Sequence, residues 1–203
     1  MTVVKIEPIE QAISLTWTLS ARCNYDCMYC PTEYHDSTSE LPTLIQLKNA
    51  WLNFYNKTNH SLLPYKISFT GGEPTVNRAF LPFVSWLRQY NVSQIIVTTN
   101  GSASLSFYKK LATEVDVISI STHGEYIVEQ EFFKKVLELN KILQQNAKSL
   151  HVNIMDEWWH QKRIALYTKW CADHNVSHSI NKIDYLHQTR SVPLMKGTYN
   201  LDS

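Results

Sequence analysis

The chain has 203 residues, 44% of them hydrophobic, with 19 basic and 18 acidic side chains and a net charge of +1. That length suits one domain with a substantial core. So even a charge balance provides no field to steer nucleic acid, no apolar run approaches the roughly 18 residues of a membrane span, and the N-terminal MTVVKIEPIEQ lacks the basic and apolar parts of a secretory leader. A cytoplasmic protein with neither a nucleic-acid nor a membrane partner is expected.

The first β-rich run is SLTWTL at 14–19. It leads into RCNYDCMYCP, which sets Cys23, Cys27 and Cys30 at C-x3-C-x2-C spacing. In a reducing compartment such thiols are ligands or redox groups rather than structural disulfides. A polar stretch, PTEYHDSTSE, follows, and then Leu44, Leu47, Trp51, Phe54 and Tyr55 recur at helical spacing. KISFTG at 66–71 is the second strand and runs into Gly71, Gly72, Glu73 and Pro74. Phe80, Val84 and Leu87 mark another helix, and QIIVTTN at 94–100 a third strand.

The fourth strand, DVISIST at 116–122, is followed by His123 and Glu125, which suit either a substrate-facing loop or a solvated one. Phe132, Val136, Leu139 and Leu143 form a further helical stripe. HVNIMD at 151–156 is the fifth strand, with Trp158 and Trp159 behind it for core packing or for stacking on a planar substrate. The helical stretch ALYTKWCADH holds Cys171, read as a small buried hydrophobe. SHSINKI at 177–183 has the weakest pattern of the six strands. Residues 184–203 show no period and read as a tail or lid after a core domain over 1–183.

Six strand–helix alternations predict a parallel sheet, which right-handed crossovers curl into an open, partial (β/α)6 barrel. In such barrels chemistry gathers at the C-terminal ends of the strands. The cysteines follow the first strand, GGEP the second, TTNG closes the third, and Ser119 to His123 close the fourth. Three close cysteines with His35 would make a Cys3His zinc site. Alternatively, three thiolates hold a four-iron cluster and leave one iron open to bind a small molecule. His160, His174, His178 and His187 show no spacing of a second metal site.

RCNYDCMYCP resembles the C-x3-C-x-aromatic-C signature of the radical S-adenosylmethionine (SAM) enzymes, with Tyr29 as the aromatic. The resemblance covers about residues 14–183. It implies that Cys23, Cys27 and Cys30 hold a [4Fe–4S] cluster whose fourth iron is chelated by SAM. It also implies that Gly71, Gly72, Glu73 and Pro74 hold the methionine amino group, Glu73 either accepting from a cation or ordering the turn. Thr99, Asn100 and Ser119 would lie at the ribose and methionine end, and Asn153 and Ile154 near the ribose or adenine.

The activity implied is reductive cleavage of SAM to methionine and a 5′-deoxyadenosyl radical, which takes hydrogen from a small-molecule or peptide substrate. Flavodoxin or ferredoxin would supply the electron. Thr32 is similar to a residue of the 7-carboxy-7-deazaguanine synthases, and the size and cysteine spacing to the glycyl-radical activating enzymes. The WTLSARCNYDCMYCP lead-in and TTNG look more like the molybdenum-cofactor and peptide-modifying branches. Only Cys171 is left over, which argues against a second cluster held by protein cysteines. The readings from other classes are a zinc-binding interaction module and a barrel that keeps the fold only to bind a partner; the intact set of motifs disfavours the last.

Overall fold

The computed structural model describes residues 11–31, 35–58, 62–157 and 161–183. Thr32, Trp158, Trp159, His160, His187 and the tail at 184–203 lie outside the described residues. The strands are β1 (Ile13–Thr18), β2 (Tyr65–Thr70), β3 (Val92–Thr99), β4 (Val117–Thr122), β5 (Ser149–Asp156) and β6 (Ser177–Lys182). Between them lie α1 (Leu44–Lys57), α2 (Phe80–Leu87), α3 (Leu105–Glu114), α4 (Glu129–Gln145) and α5 (Gln161–Asp173). The sheet order is β1-β2-β3-β4-β5-β6, and every neighbouring pair is parallel. This is the partial (β/α)6 architecture expected, with β1 and β6 as its two edges.

One face of the sheet makes the core. Tyr65, Ile67 and Phe69 of β2, Ile95 and Val97 of β3, Ile118 and Ile120 of β4, and Leu150, Val152 and Ile154 of β5 are all buried. They pack with helical residues that include Trp51, Phe80, Phe83, Leu111, Val136 and Leu143. The stripes at 44–55, 80–87 and 132–143 are therefore core faces. Burying side chains of this size stabilises by about 1.5–3 kcal/mol each. Helix starts are set locally: Thr43 and Gln46 form a reciprocal capping box at α1, and the Ser104 side chain caps α3.

β6 forms although its sequence is polar, because all six of its residues pair in register with β5, from His151↔Ser177 to Asp156↔Lys182. Helix α3 has a short apolar stripe that is hard to see in sequence, and it buries Tyr108, Leu111 and Ala112. Among the described residues, no helix is long and apolar enough to cross a membrane.

Candidate functional site

Chain direction brings the C-terminal ends of β1 to β4 to one rim. A cavity of about 340 Å³ opens there, lined among others by Cys23, Cys27, Cys30, Gly71, Gly72 and Asn100. Tyr29 and His123 also line it.

The cysteine loop is built on β1. The Cys23 amide donates to Asp36 O at 2.7 Å, and the Asp36 amide donates back to Ala21 O at 2.9 Å. A turn, Cys30 N–H to Cys27 O at 3.0 Å, folds the second half of the motif. Among the described residues none of the three is in a disulfide; Cys27 is buried and the other two are half-buried.

The GGEP turn presses on this loop. Gly71 and Gly72 have φ of +87° and +43°, a region that suits glycine. A Cβ on Gly72 would sit 2.1 Å from Arg22 O, and one on Gly71 2.3 Å from Thr18 Cγ2. The Glu73 amide donates to Arg22 O at 2.9 Å. Backbone therefore meets backbone across the two loops, and no side chain fits between them.

Glu73 is 1% exposed, and its carboxylate is fully engaged by the protein. Oε1 accepts from the Thr75 amide (2.9 Å), Thr75 Oγ1 (2.6 Å) and Thr99 Oγ1 (2.7 Å), and Oε2 accepts from the Asn100 amide (2.6 Å). Burial pushes this carboxyl upward, and the hydrogen bonds, led by that from Asn100, oppose the shift. Of the two roles open to Glu73, the geometry is that of ordering the turn: it ties GGEP to the end of β3. Asn100 carries the tie onward, its Nδ2 donating to Asn24 Oδ1 at 3.0 Å and lying 3.8 Å from Cys23 Sγ.

The β4–α4 loop grips the cysteine loop from the other side. Tyr126 OH accepts from the Asp26 amide at 2.9 Å, and Glu125 Oε1 accepts from the Met28 amide at 3.1 Å. The rings of Tyr25 and Tyr126 stack with centroids 4.1 Å apart. His123 Nδ1 lies 3.3 Å from Cys27 Sγ and hydrogen-bonds the Tyr29 hydroxyl. His123 and Glu125 thus face the cysteine loop, a placement their loop position in sequence did not reveal. Below this loop, Glu157 Oε1 accepts from the Gly124 amide at 3.0 Å, and Arg163 Nη1 donates to Gly124 O at 2.5 Å.

The expected site residues separate by depth. Cys23, Cys27, Cys30, Tyr29, Gly71, Gly72 and Asn100 line the cavity. Glu73, Pro74 and Thr99 are buried behind it, Thr99 bonded to Glu73 and to Tyr108 OH. Ser119 and Asn153 sit lower on the sheet, where Asn153 Nδ2 donates to Ser119 Oγ at 2.7 Å. Neighbouring Ile154 is in the core on the other face. The sequence reading missed Thr18, Thr70 and Tyr25, which also line the cavity. The two threonines were legible in principle, as the last inward positions of alternating strands.

The donor set fits an iron–sulfur cluster better than a single ion. Among the described residues no three His, Cys, Asp or Glu side chains converge on one ion position. His35, the fourth ligand of the zinc alternative, has Nε2 at 2.9 Å from Asp26 Oδ1 and Nδ1 at 3.3 Å from Pro31 O. A cluster takes one thiolate at each of three corners, which matches cysteines spread around a cavity. Burial pushes the Cys27 and Cys23 thiols above their ordinary range, and a bound cluster would hold them as thiolates.

A sequence family described as a 4Fe-4S single cluster domain matches residues 15–147. The chain belongs to this family, within the radical SAM superfamily. A [4Fe–4S] cluster is accordingly the cofactor of this domain. Among similar proteins, a probable GTP 3′,8-cyclase of Thermoplasma volcanium is 29% identical over 129 residues, which are 63% of this chain and 37% of that protein. An S-adenosylmethionine-dependent nucleotide dehydratase of Pseudoalteromonas ulvae is 28% identical over 134 residues, 59% of this chain and 43% of that one. The chain thus spans less than half the length of these curated relatives.

The fold is shared with Streptococcus suis SuiB, at TM-score 0.67 and 16% identity over 94% of this chain and 43% of that one. BtrN in complex with AdoMet and 2-DOIA matches at TM-score 0.54 and 14% identity, over 85% of this chain and 70% of that one.

Proposed function

We propose that this radical SAM chain binds its cluster through Cys23, Cys27 and Cys30 and binds SAM against the GGEP turn, to start hydrogen abstraction from a substrate held inside the open barrel. The observation that carries this reading is the convergence of the C-x3-C-x2-C loop, the glycine turn and Asn100 on one cavity. Cys23, Cys27 and Cys30 would hold the cluster there, and it would supply the electron for reductive cleavage of SAM bound against the GGEP turn.

The protein's part is to place and shield. Gly71 and Gly72 let the turn lie directly against the cysteine loop, since a Cβ on either would meet Thr18 or Arg22, and so set the turn's backbone beside the methionine end of SAM. Glu73 and Thr99 act from behind, holding that backbone still. Asn100 offers its side chain between the turn and Cys23. Tyr25, Tyr29 and His123 wall the cavity and exclude water, which otherwise quenches reactive intermediates. Ser119 and Asn153 stand deeper on the same face, at the ribose end. The electron comes from a low-potential donor of the flavodoxin or ferredoxin kind, in a cytoplasmic setting.

The relatives' names offer two substrate classes, nucleotides for the two curated enzymes and a precursor peptide for SuiB. Single Cys23→Ala, Cys27→Ala and Cys30→Ala variants, reconstituted anaerobically with iron and sulfide, test the assignment. Each loses the broad brown absorbance and the bound iron of the parent chain. Full iron retention in any one of them refutes the ligand set.

A further inference from the structure

Cys23 and Cys27 are met by different kinds of group. Cys23 Sγ accepts from the Tyr25 amide at 3.4 Å, with Asn100 Nδ2 3.8 Å away. Cys27, the buried one of the three, is met by two aromatic side chains. His123 Nδ1, just past the end of β4, lies 3.3 Å from its Sγ. The Tyr29 hydroxyl hydrogen-bonds the same sulfur and also pairs with His123 Nδ1. Sulfur, hydroxyl and imidazole therefore close a triangle.

The imidazole is held firmly in this pose. Its ring lies parallel to that of Tyr29, at 6° with centroids 6.0 Å apart, and edge-on to Tyr25, at 77° and 5.8 Å. The His123 carbonyl accepts from the Tyr126 and Ile127 amides at 2.9 and 3.1 Å. Tyr126 and Glu125 in turn hold the amides of Asp26 and Met28, the residues on either side of Cys27. The β4–α4 loop thus delivers one imidazole to one sulfur and fixes the chain on both sides of that sulfur.

A thiol can donate into the triangle, whereas a thiolate bound to a cluster can only accept. The hydrogens left are those of the Tyr29 hydroxyl and the imidazole. With Nδ1 as an acceptor, Tyr29 donates to it and the sulfur receives nothing from either. With the hydrogen on Nδ1, the sulfur gains a donor, directly from the ring or through the Tyr29 hydroxyl. A buried anion without donors is costly, so the second arrangement is the favoured one. Such a bond is charge-assisted and stronger than a neutral one. It stabilises the reduced cluster, which carries more negative charge, over the oxidised one, and so raises the potential.

We propose that His123 is a positioning residue for the cluster: together with Tyr29 it supplies the hydrogen bond to the Cys27 sulfur, and it thereby raises the potential at which the chain accepts its electron. The proposal rests on the reading of Cys27 as a cluster ligand and adds a residue that tunes that cluster. Redox titration of the anaerobically reconstituted full chain, followed by electron paramagnetic resonance, tests it. Iron content and brown absorbance of the parent chain check the ligand reading by themselves.

His123→Phe keeps a ring to stack on Tyr25 and Tyr29 but has no donor. Its midpoint is expected below the parent's. At the parent's midpoint the ratio of reduced to oxidised cluster falls about tenfold, ~59 mV for one electron, the loss of roughly one good hydrogen bond. His123→Gln restores a donor and recovers part of the shift. Tyr29→Phe leaves the imidazole to serve the sulfur alone and shifts the same way by less. A merely structural role lowers iron content without moving the midpoint of the clusters that remain. The proposal is overturned if the His123→Phe midpoint is within error of the parent's or above it, or if His123→Gln is no nearer the parent than His123→Phe. Loss of iron from both His123 variants makes His123 a metal ligand and overturns it as well. If His123→Phe alone loses its iron, Tyr29→Phe decides by the same titration, and an unchanged midpoint there overturns the proposal.

Discussion

Glu73 is the point where the two halves of the site are fastened, and Glu73→Ala measures that fastening. The substitution leaves four donated hydrogen bonds without an acceptor: two from Thr75, one from Thr99 and one from the Asn100 amide. Exposed groups of this kind recover their loss in water, but Glu73 and Thr99 are 1% and 2% exposed. Each orphaned buried donor costs about 1–3 kcal/mol. The costs do not add fully, because Thr99 keeps Tyr108 OH as a partner at 2.8 Å and the loop can relax. A net loss of about 3–5 kcal/mol follows, comparable to removing one partner of a buried charged pair. For a chain of this size that lowers Tm by roughly 6–20 °C.

Urea denaturation and a thermal melt give the stability, and SAM titration beside an iron assay gives the function. Stability and SAM affinity are expected to fall together. Glu73→Gln, which keeps one acceptor oxygen, is expected to fall between the parent chain and Glu73→Ala. A Glu73→Ala protein within about 0.5 kcal/mol of the parent, the range of an ordinary surface change, refutes the claim that this carboxylate pins the turn. Normal stability with lost SAM affinity would instead assign Glu73 directly to the ligand.

Other substitutions address separate parts of the account. Gly72→Ala places a Cβ 2.1 Å from Arg22 O at a φ of +43°, so the expected result is loss of SAM binding and of about 2 kcal/mol or more, read by titration and urea midpoint. Cys171, buried on α5 with its thiol pushed up to about 11 by burial, takes no part in the cluster, so Cys171→Ala keeps the iron content of the parent chain. Burial, aided by Glu125, raises the Glu157 carboxyl from 4.5 to about 7. The folded state therefore holds this proton more tightly than the unfolded one, and stability present below about pH 4.5 is lost as pH rises through about 7. Glu157→Gln keeps the acceptor for the Gly124 amide and removes the titration. It is expected to gain about 2 kcal/mol over the parent at pH 8 and nothing at pH 4, by urea denaturation at both values.

Much of this protein is written locally. Alternating Val, Ile and Thr marked the strands, and stripes such as Phe132, Val136, Leu139 and Leu143 marked helical core faces. The cysteine spacing and GGEP stood out because each is contiguous in sequence. What escaped is long-range. Tyr126 OH meets the Asp26 amide across a hundred residues, and nothing in HGEY announces that meeting. The choice between the two roles of Glu73 stayed open in sequence, because its four donated bonds come from three different residues, two of them at the end of the next strand. Thr18 and Thr70 end alternating strands, and the register shows that they sit side by side.

The three thiols, the glycine turn and Asn100 are proposed to form one centre for reductive cleavage of SAM. The most direct measurement is anaerobic: reconstitute the full chain, reduce it with dithionite, add SAM, and quantify 5′-deoxyadenosine beside bound iron and sulfide. About four irons per chain are expected, with 5′-deoxyadenosine formation that requires reductant and disappears in Cys27→Ala. A colourless protein holding zinc, or a full cluster that yields no 5′-deoxyadenosine with SAM bound, would contradict it.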